Sequence, residues 1–380
     1  MKQRVIIIGP AHPLRGGLAT FNQRLATEFG THGDACTIVS FSRQYPSLLF
    51  PGKTQYTTDT APENVQIQTL INSVNPYNWI KVGRYLRKLR PDLIVVRYWI
   101  PFMGPALGTI LRQVKRNKYT KIICIADNII PHEHRPGDSA FTRYFLKACD
   151  GFITMSEKVL SDLRTFEKQK PAQLVQHPLY DNFGQAIPKA AAREHLGLNP
   201  ADKIVLFFGF IRKYKGLDLL LHALTHEGLK KLNIKLLIAG EFYEEEADYL
   251  QIIKQNHLEE AVILRTHFIP DSEVRYYLCA ADAVIQPYRA ATQSGVTPLA
   301  YYFEKPMVVT NVGGLPDLVP HLKSGIVCAP EPTAIAEAII QFYQLGETFF
   351  IPHLRVEREK YNWTNLVHAI KNIAASTGTR

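Results

Sequence analysis

Paired cysteine is missing from this chain. It has five cysteines, Cys36, Cys124, Cys149, Cys279 and Cys328, an odd number, widely spaced and with no C-x-x-C. That pattern excludes a disulfide framework and a zinc ribbon, and most of the five lie in or beside apolar runs, where a free thiol behaves as a small hydrophobe. A secretory leader is not expected either: MKQRVIIIGP offers four clearly apolar residues before Gly9-Pro10, too few for a signal core. The expected compartment is therefore cytoplasmic and reducing. The nearest approach to a membrane span is Leu93 to Leu111, almost uncharged over 19 residues, yet it contains Arg97, Pro101, Gly104, Pro105 and Gly108. A buried strand, a Pro/Gly turn and a helix start account for it better. No short-period repeat and no low-complexity segment is present. Carboxylates are scarce in one half only. Residues 1–185 hold 24 basic and 13 acidic side chains, and 186–380 hold 20 and 21, so the net +10 lies wholly in the first half. Such asymmetry points to an anionic partner for that half.

What is present is ordinary for a packed core: 46% hydrophobic and 21% charged residues over a length of 380. This length predicts two domains, and the composition excludes a disordered chain, a coiled coil and a collagen-like fibre. The order of elements is strand then helix, repeatedly. Val5–Ile8 is a β-branched run ending at Gly9, and Leu18–Phe29 places Leu18, Phe21, Leu25 and Phe29 at helical spacing. Cys36–Phe41, Leu93–Val96, Lys121–Ala126 and Gly151–Thr154 read as further strands, Asn78–Arg90 as a helix, and Ser156 as the cap of another. Between His177 and Pro200 the signal lapses into a Pro/Gly-punctuated linker with a short AAREHL helix. It restarts with strands Lys203–Phe208, Ile234–Ala239, Val262–Leu264, Ala283–Gln286 and Met307–Thr310, and with helices Leu217–Ala223 and Glu244–Asn256. An amphipathic helix closes the chain at Thr364–Ile373. The predicted fold class is α/β: two doubly wound, Rossmann-like domains, 1–185 and 186–355, facing across a cleft.

Ligands of open parallel sheets bind beyond the carboxyl ends of the strands. After the first strand, Arg15-Gly16-Gly17 stands directly before a helix; its spacing is not G-x-G-x-x-G, so the dinucleotide fingerprint is absent. After the first strand of the second half, GFIRKYKG (209–216) crowds Arg212, Lys213 and Lys215 into one loop, a set suited to phosphate oxygens or simply to a solvated basic turn. After Ala283–Gln286, Thr292, Gln293, Ser294 and Gly295 precede a helix beginning near Val296. They form either an uncharged anion cradle or plain capping by Ser294. A fourth loop, Asn311 to Asp317, follows the next strand. Together these loops suggest a clamped diphosphate.

The order of RGG before a helix, GFxxxxKG, a Ser-Gly helix start and KPMVVTNVGGLPDLV resembles the group-one, family-four glycosyltransferases of GT-B fold. The resemblance covers essentially the whole chain and is strongest over 203–330. It implies retaining transfer from a nucleotide-sugar donor held mainly by the second domain, an acceptor on the first, and a last segment (about 356–380) that crosses back to the first domain. By position, Gly16 and Gly17 match the glycine loop near the donor phosphates, Lys215 the phosphate-binding lysine, and Ser294, Gly295 and Val296 the helix start beneath the diphosphate. Phe210 stands at the usual arginine, so Arg212 is inferred as its replacement. The family's glutamate pair falls on Ala291/Thr292 and Leu299/Ala300, where no carboxylate exists. Gln293 and Glu241 are the remaining donor candidates. Asp127, Asn128, His132 and Glu133 occupy the place of a histidine-bearing loop near donor sugar and acceptor, and make Asp127 and His132 candidate acid/base groups. His132-x-His134 has no further ligand motif beside it and is not read as a metal site.

The expected function is a metal-independent, retaining glycosyltransferase in polysaccharide biosynthesis, with no prosthetic group and a nucleotide-diphosphate sugar as donor. Its expected acceptor is a glycan or a lipid-linked glycan. A nucleotide-sugar epimerase and a non-catalytic glycan-binding subunit are the alternatives. No nucleic-acid motif accompanies the charge. The basic run Lys81–Arg90 reads as a solvated helix or as a site of attraction to an anionic membrane surface, which would make the protein peripheral on the inner face. Trp79, Tyr85 and Trp99 read as core or interface aromatics.

Overall fold

The computed structural model describes residues 2–46, 54–57, 60–131, 135–179, 181, 183–291 and 294–378. The chain forms two compact units, Met1–Pro178 joined by Asn362–Arg380, and Leu179–Tyr361.

The first unit carries seven parallel strands: β1 (Arg4–Ile8), β2 (Ala35–Arg43), β3 (Gln66–Asn72), β4 (Leu93–Tyr98), β5 (Lys121–Ala126), β6 (Gly151–Thr154) and β7 (Ala172–Leu174), in the order β3-β2-β1-β4-β5-β6-β7. Strand β4 is buried at every position, as a strand covered on both faces must be. Its helices are α1 (Gly17–Thr31), α2 (Pro76–Leu89), α3 (Gly104–Lys115), α4 (Asp138–Leu146) and α5 (Glu157–Phe166). Local chemistry starts them where expected. The Asn75 side chain accepts from Asn78 N at 3.2 Å with Pro76 at the first helical position, and Ser156 Oγ accepts from Val159 N at 3.3 Å. Leu93 to Leu111 resolves into β4, a 3-10 turn at Pro101–Met103 and the start of α3. Among the described residues, no helix is long and apolar enough to cross a membrane.

The second unit has six parallel strands: β8 (Lys203–Phe208), β9 (Ile234–Ala239), β10 (Val262–Arg265), β11 (Ala283–Gln286), β12 (Met307–Thr310) and β13 (Gly325–Cys328), in the order β10-β9-β8-β11-β12-β13. Around them lie α6 (Lys189–His195), α7 (Leu217–Ala223), α8 (Glu227–Lys231), α9 (Glu246–Gln255), α10 (Val274–Ala280), α11 (Val296–Tyr302), α12 (Leu315–Leu318), α13 (Pro332–Leu345) and α14 (Glu347–Arg358). The last helix, α15 (Trp363–Ser376), belongs to the first unit. Trp363 packs on Phe21 of α1 with ring centroids 4.8 Å apart, Thr364 Oγ1 donates to Glu28 at 2.8 Å, and Lys371 pairs with Asp34 at 2.6 Å. The return of the final segment to the first half is thus a feature of the fold.

Two details differ from the sequence reading. The helix expected from Glu244 begins at Glu246, because the Glu244 carboxylate is used elsewhere: it accepts from Lys213 N at 2.5 Å and from Tyr249 Oη at 3.1 Å. Strands β3, β7 and β13 are not expected from the sequence. All three lie at sheet edges; β3 is interrupted by polar residues and β7 spans three residues, so neither carries the continuous apolar run that marks a central strand, whereas β13, GIVC, does carry one.

Candidate active site

A doubly wound sheet opens a ligand site where the strand order reverses. In the second unit that point lies between β8 and β11, which are hydrogen-bonded neighbours from which the chain departs in opposite directions. The loops leaving these two strands are stitched together. Arg289 N donates to Tyr214 O at 2.7 Å, and the Arg289 side chain pairs with Asp218 at the start of α7. The next loop joins them: Thr310 Oγ1 donates to Tyr288 O at 2.6 Å, and Gly313 backs directly against the Ala291 carbonyl. Three of the loops singled out in the sequence therefore meet at one place.

Lys215 lies at that place. The residues Lys213–Lys215 form a single 3-10 turn, closed by Lys215 N donating to Arg212 O at 2.8 Å. The turn brings Lys215 Nζ to within 3.2 Å of where a β-carbon on Gly209 would lie. Gly209 has φ +93, so glycine both permits the backbone and leaves room for the ammonium. Nζ also lies 5.8 Å from the Tyr288 ring centroid. Burial, together with the Arg212 guanidinium, lowers the Lys215 ammonium to about 7. Arg212 is exposed and stacks 5.0 Å over Tyr243, which in turn stacks on Phe210 at 4.4 Å.

Below the loops lies a buried polar cluster that the sequence did not reveal. Gln286, 1% exposed at the end of β11, accepts from Ser294 Oγ and donates to Thr297 Oγ1 at 3.1 Å. Ser294 Oγ then accepts from Val296 N at 3.2 Å. The cap of α11 is Gly295 rather than Ser294, whose hydroxyl points inward and supports the helix start from beneath. Glu241 follows β9 and is buried, with its carbonyl accepting from Ile211 N at 2.9 Å. Ala291, Leu299 and Ala300 are buried and apolar, with no carboxylate at the glutamate positions. Gln293 lies outside the described residues, as does Thr292.

In the first unit the strand order reverses between β1 and β4. Gly16, with φ 98, precedes α1, and Gly17 is its first residue; Gly16 O accepts from Ala19 N at 2.9 Å. Arg97, near the end of β4, is 3% exposed and donates from Nε and Nη2 to the two oxygens of Asp127, each at 2.6 Å. Its guanidinium lies 3.8 Å from the Phe21 centroid. Burial raises the Asp127 carboxyl, while Arg97 pulls the other way. On the same Phe21 ring rests His177, centroids 5.1 Å apart. Burial, with Arg97 adding to it, lowers His177 to about 4, and its Nδ1 donates to Pro178 O at 2.8 Å. Sequence reasoning misses both Arg97 and His177 as site residues. The legible signal is Arg97 itself, the one charge in an apolar strand. His132, Glu133 and His134 lie outside the described residues. Among those described, no group of three His, Cys, Asp or Glu side chains could hold a metal ion.

Two doubly wound units, one with a cationic turn at its switch point, define an α/β protein of two Rossmann-like domains. Comparison with known sequences gives the family. Residues 15–177 match Glycosyltransferase Family 4 and residues 188–352 match Glycosyl transferases group 1, so that the two matches together span most of the chain. The chain belongs to the group 1/family 4 glycosyltransferases. An uncharacterized glycosyltransferase of Methanocaldococcus jannaschii, MJ1607, is 26% identical over 185 residues, 48% of this chain and 47% of that one. The chain thus spans about half the length of the curated relatives it matches. Among solved structures, sucrose-phosphate synthase from Thermosynechococcus elongatus is similar at a TM-score of 0.75 and 16% identity, covering 98% of this chain and 99% of that one. Anabaena HepE, solved in complex with UDP, is similar at 0.72 and 17%, covering 98% and 100%. These likenesses show the GT-B fold.

Proposed function

We propose that this chain transfers a sugar, with retention and without a metal ion, from a nucleotide-diphosphate sugar to a glycan or lipid-linked acceptor in polysaccharide biosynthesis. The observation that carries this reading is Lys215, a lysine lowered to about 7 and placed beneath Gly209 where three loops of the second unit converge. A cation kept partly desolvated is destabilised alone and stabilised by an arriving anion, which suits a group that holds a diphosphate as it departs. Arg212 supplies a second charge, and Gly295 and Val296 present the helix start braced by Ser294 and Gln286. Gly16 and Gly17 enter on the resemblance, as the glycine loop near the donor phosphates. Glu241 and Gln293 remain donor candidates. The domain roles follow: donor on Leu179–Tyr361, acceptor on the first unit.

Asp127 and His132 are proposed near the reacting sugar. With both Asp127 oxygens held by Arg97, the role that fits Asp127 is orienting a sugar hydroxyl rather than shuttling a proton. In a retaining transfer the acceptor attacks on the face the diphosphate leaves, so the departing oxygens can themselves take the acceptor proton. No protein nucleophile is assigned.

A thermal-shift panel of nucleotide diphosphates and nucleotide sugars tests the donor site, since a selective ligand raises the melting temperature by mass action. No shift from any of them, with transfer also absent, would remove the reading. Activity unchanged by a chelator is expected. The buried apolar Ala291, Leu299 and Ala300 favour one second reading, a non-catalytic subunit that binds a glycan. Donor hydrolysis or transfer by the purified chain excludes it.

A further inference from the structure

We propose that the first unit carries a second binding site, a cavity at the amino ends of its strands that takes a small phosphate-bearing molecule. Arg97 and Asp127 lie at the carboxyl ends of β4 and β5, and the cavity lies at the opposite end of the same strands. Its lining comes from the starts of four adjacent strands and the end of one helix. Gln3 precedes β1, Asp92 precedes β4, Lys121 opens β5 and Asp150 precedes β6, while Lys115 and the residues Lys118, Tyr119 and Thr120 close α3. The cavity volume is about 280 Å³. Small-molecule sites run from roughly 300 to 1,000 Å³, so this one suits a compact solute better than a nucleotide sugar.

The sign of the ligand follows from what the lining groups already hold. One oxygen of Asp92 accepts from Tyr119 Oη and the other from Arg4 N at 2.7 Å. Asp150 accepts from Lys115 Nζ at 2.9 Å on one oxygen and from Ile122 N at 3.0 Å on the other. Every carboxylate oxygen here already has a donor, so a cation has little to gain. The lysines have capacity left. An ammonium carries three N–H groups, and Lys121 gives two of them to the carbonyls of Thr377 and Gly378, just after α15. Lys118 Nζ has no hydrogen-bond or ion-pair partner among the described residues. Arg90 adds a further positive charge, its guanidinium 5.0 Å from the Tyr119 ring centroid. Two ammonium groups with unused N–H donors beside one cavity suit the oxygens of a phosphate.

The loop that presents Lys118 is fixed before any ligand arrives. The Asn117 side-chain oxygen accepts from Tyr119 N at 2.9 Å and from Thr120 N at 3.1 Å, and its amide donates to Thr120 Oγ1 at 2.8 Å. Lys118 itself is left-handed, with φ +54, a conformation that glycine adopts without steric penalty and lysine does not. Glycine would make the same turn, so what the lysine adds is its charge. Gln3, Tyr119 and Thr120 supply an uncharged wall for the part of the molecule beyond its phosphate. This inference stands whether or not the second unit binds a nucleotide sugar.

The test treats the full chain with a limiting amount of acetyl N-hydroxysuccinimide ester and reads the acylation of each lysine by mass spectrometry. Inorganic phosphate and glycerol 3-phosphate are the test ligands, with chloride at matched ionic strength as the control. Both phosphates are expected to slow acylation of Lys118 and Lys121 several-fold, and chloride is not. Titrating the protection gives the affinity. Lys118→Gly suits the left-handed backbone, so it should melt no earlier than wild type, while protection of Lys121 needs roughly 10–150-fold more ligand, the range for one lost charge-assisted hydrogen bond. Lys118→Arg should restore binding. Lys215→Ala separates this site from the donor site, and protection of Lys118 and Lys121 is expected to persist in it. Equal protection by chloride, wild-type affinity in folded Lys118→Gly, or loss of protection in Lys215→Ala would each overturn the proposal. Tighter binding of glycerol 3-phosphate than of inorganic phosphate would support an organic phosphate as the occupant, and equal affinity would support the free ion.

Discussion

Arg97 holds the Asp127 carboxylate by both oxygens, Nε and Nη2 each 2.6 Å from its acceptor, across the register that pairs β4 with β5. A buried pair of this kind is costly to break and nearly neutral to replace whole, because removing one partner strands the other charge away from water. Asp127→Ala and Arg97→Ala are each expected to lose about 3–5 kcal/mol of stability to denaturant, while Arg97→Met/Asp127→Leu recovers most of it. Recovery of stability without recovery of transfer would place the pair in the reaction. Loss in both singles and no recovery in the double would show that the charges do more than pair with each other.

Lys215 links diphosphate binding to protonation. Its ammonium is lowered to about 7 in the free protein, and an anion beside it must raise it again. Over the interval between those two values the complex binds one more proton than the free protein. Nucleotide-diphosphate affinity is therefore expected to fall as pH rises above about 7, by up to tenfold per unit. Calorimetric titration between pH 7 and 9 in buffers of different ionisation enthalpy reads both the slope and the proton uptake. Lys215→Ala should weaken binding by roughly 10–150-fold, the equivalent of about 1.5–3 kcal/mol for a charge-assisted hydrogen bond, and abolish the pH dependence.

His177 makes acid a weak point of the first unit. It is lowered to about 4 by burial and Arg97, from 6.5 in an unfolded chain, so the unfolded state binds more protons between those values. Stability contributed by neutral His177 is complete above about pH 6.5 and is lost as pH falls toward 4. The expected loss is about 3 kcal/mol, since each pH unit in that interval is worth about 1.4 kcal/mol per proton. Thermal melts from pH 7 to 4 should show a gentler decline for His177→Gln than for the wild type. Parallel curves would mean that other groups govern acid unfolding.

Trp363 anchors the returning helix. It is 4% exposed, packs on Phe21 and carries the Arg24 guanidinium 5.0 Å from its ring centroid. Trp363→Ala is expected to cost about 3–5 kcal/mol, typical of deleting a buried aromatic ring. Because Phe21 also bears Arg97 and His177, limited proteolysis of this variant should open the first unit before the second.

The alternation of β-branched runs with helical spacing was enough, by itself, to determine two doubly wound sheets. Strands buried on both faces must be continuously apolar, and Val5–Ile8, Leu93–Val96 and Lys203–Phe208 could satisfy that requirement in no other way. The cationic loop with Lys215, the Gly-Gly loop and the helix start at Val296 were legible for a related reason: glycine, lysine and polar caps at strand ends carry their chemistry in their own few residues. What needed the tertiary structure was every relationship set by register or by a neighbouring loop. Arg97 meets Asp127 thirty positions later only because β4 and β5 pair as they do, and Gln286 supports Ser294 only because the loop after β11 folds back over its own strand. Short-range patterns record what one residue asks of its own backbone. A partner brought from far along the chain leaves no such local trace, because the energy of that contact exists only once the sheet has formed.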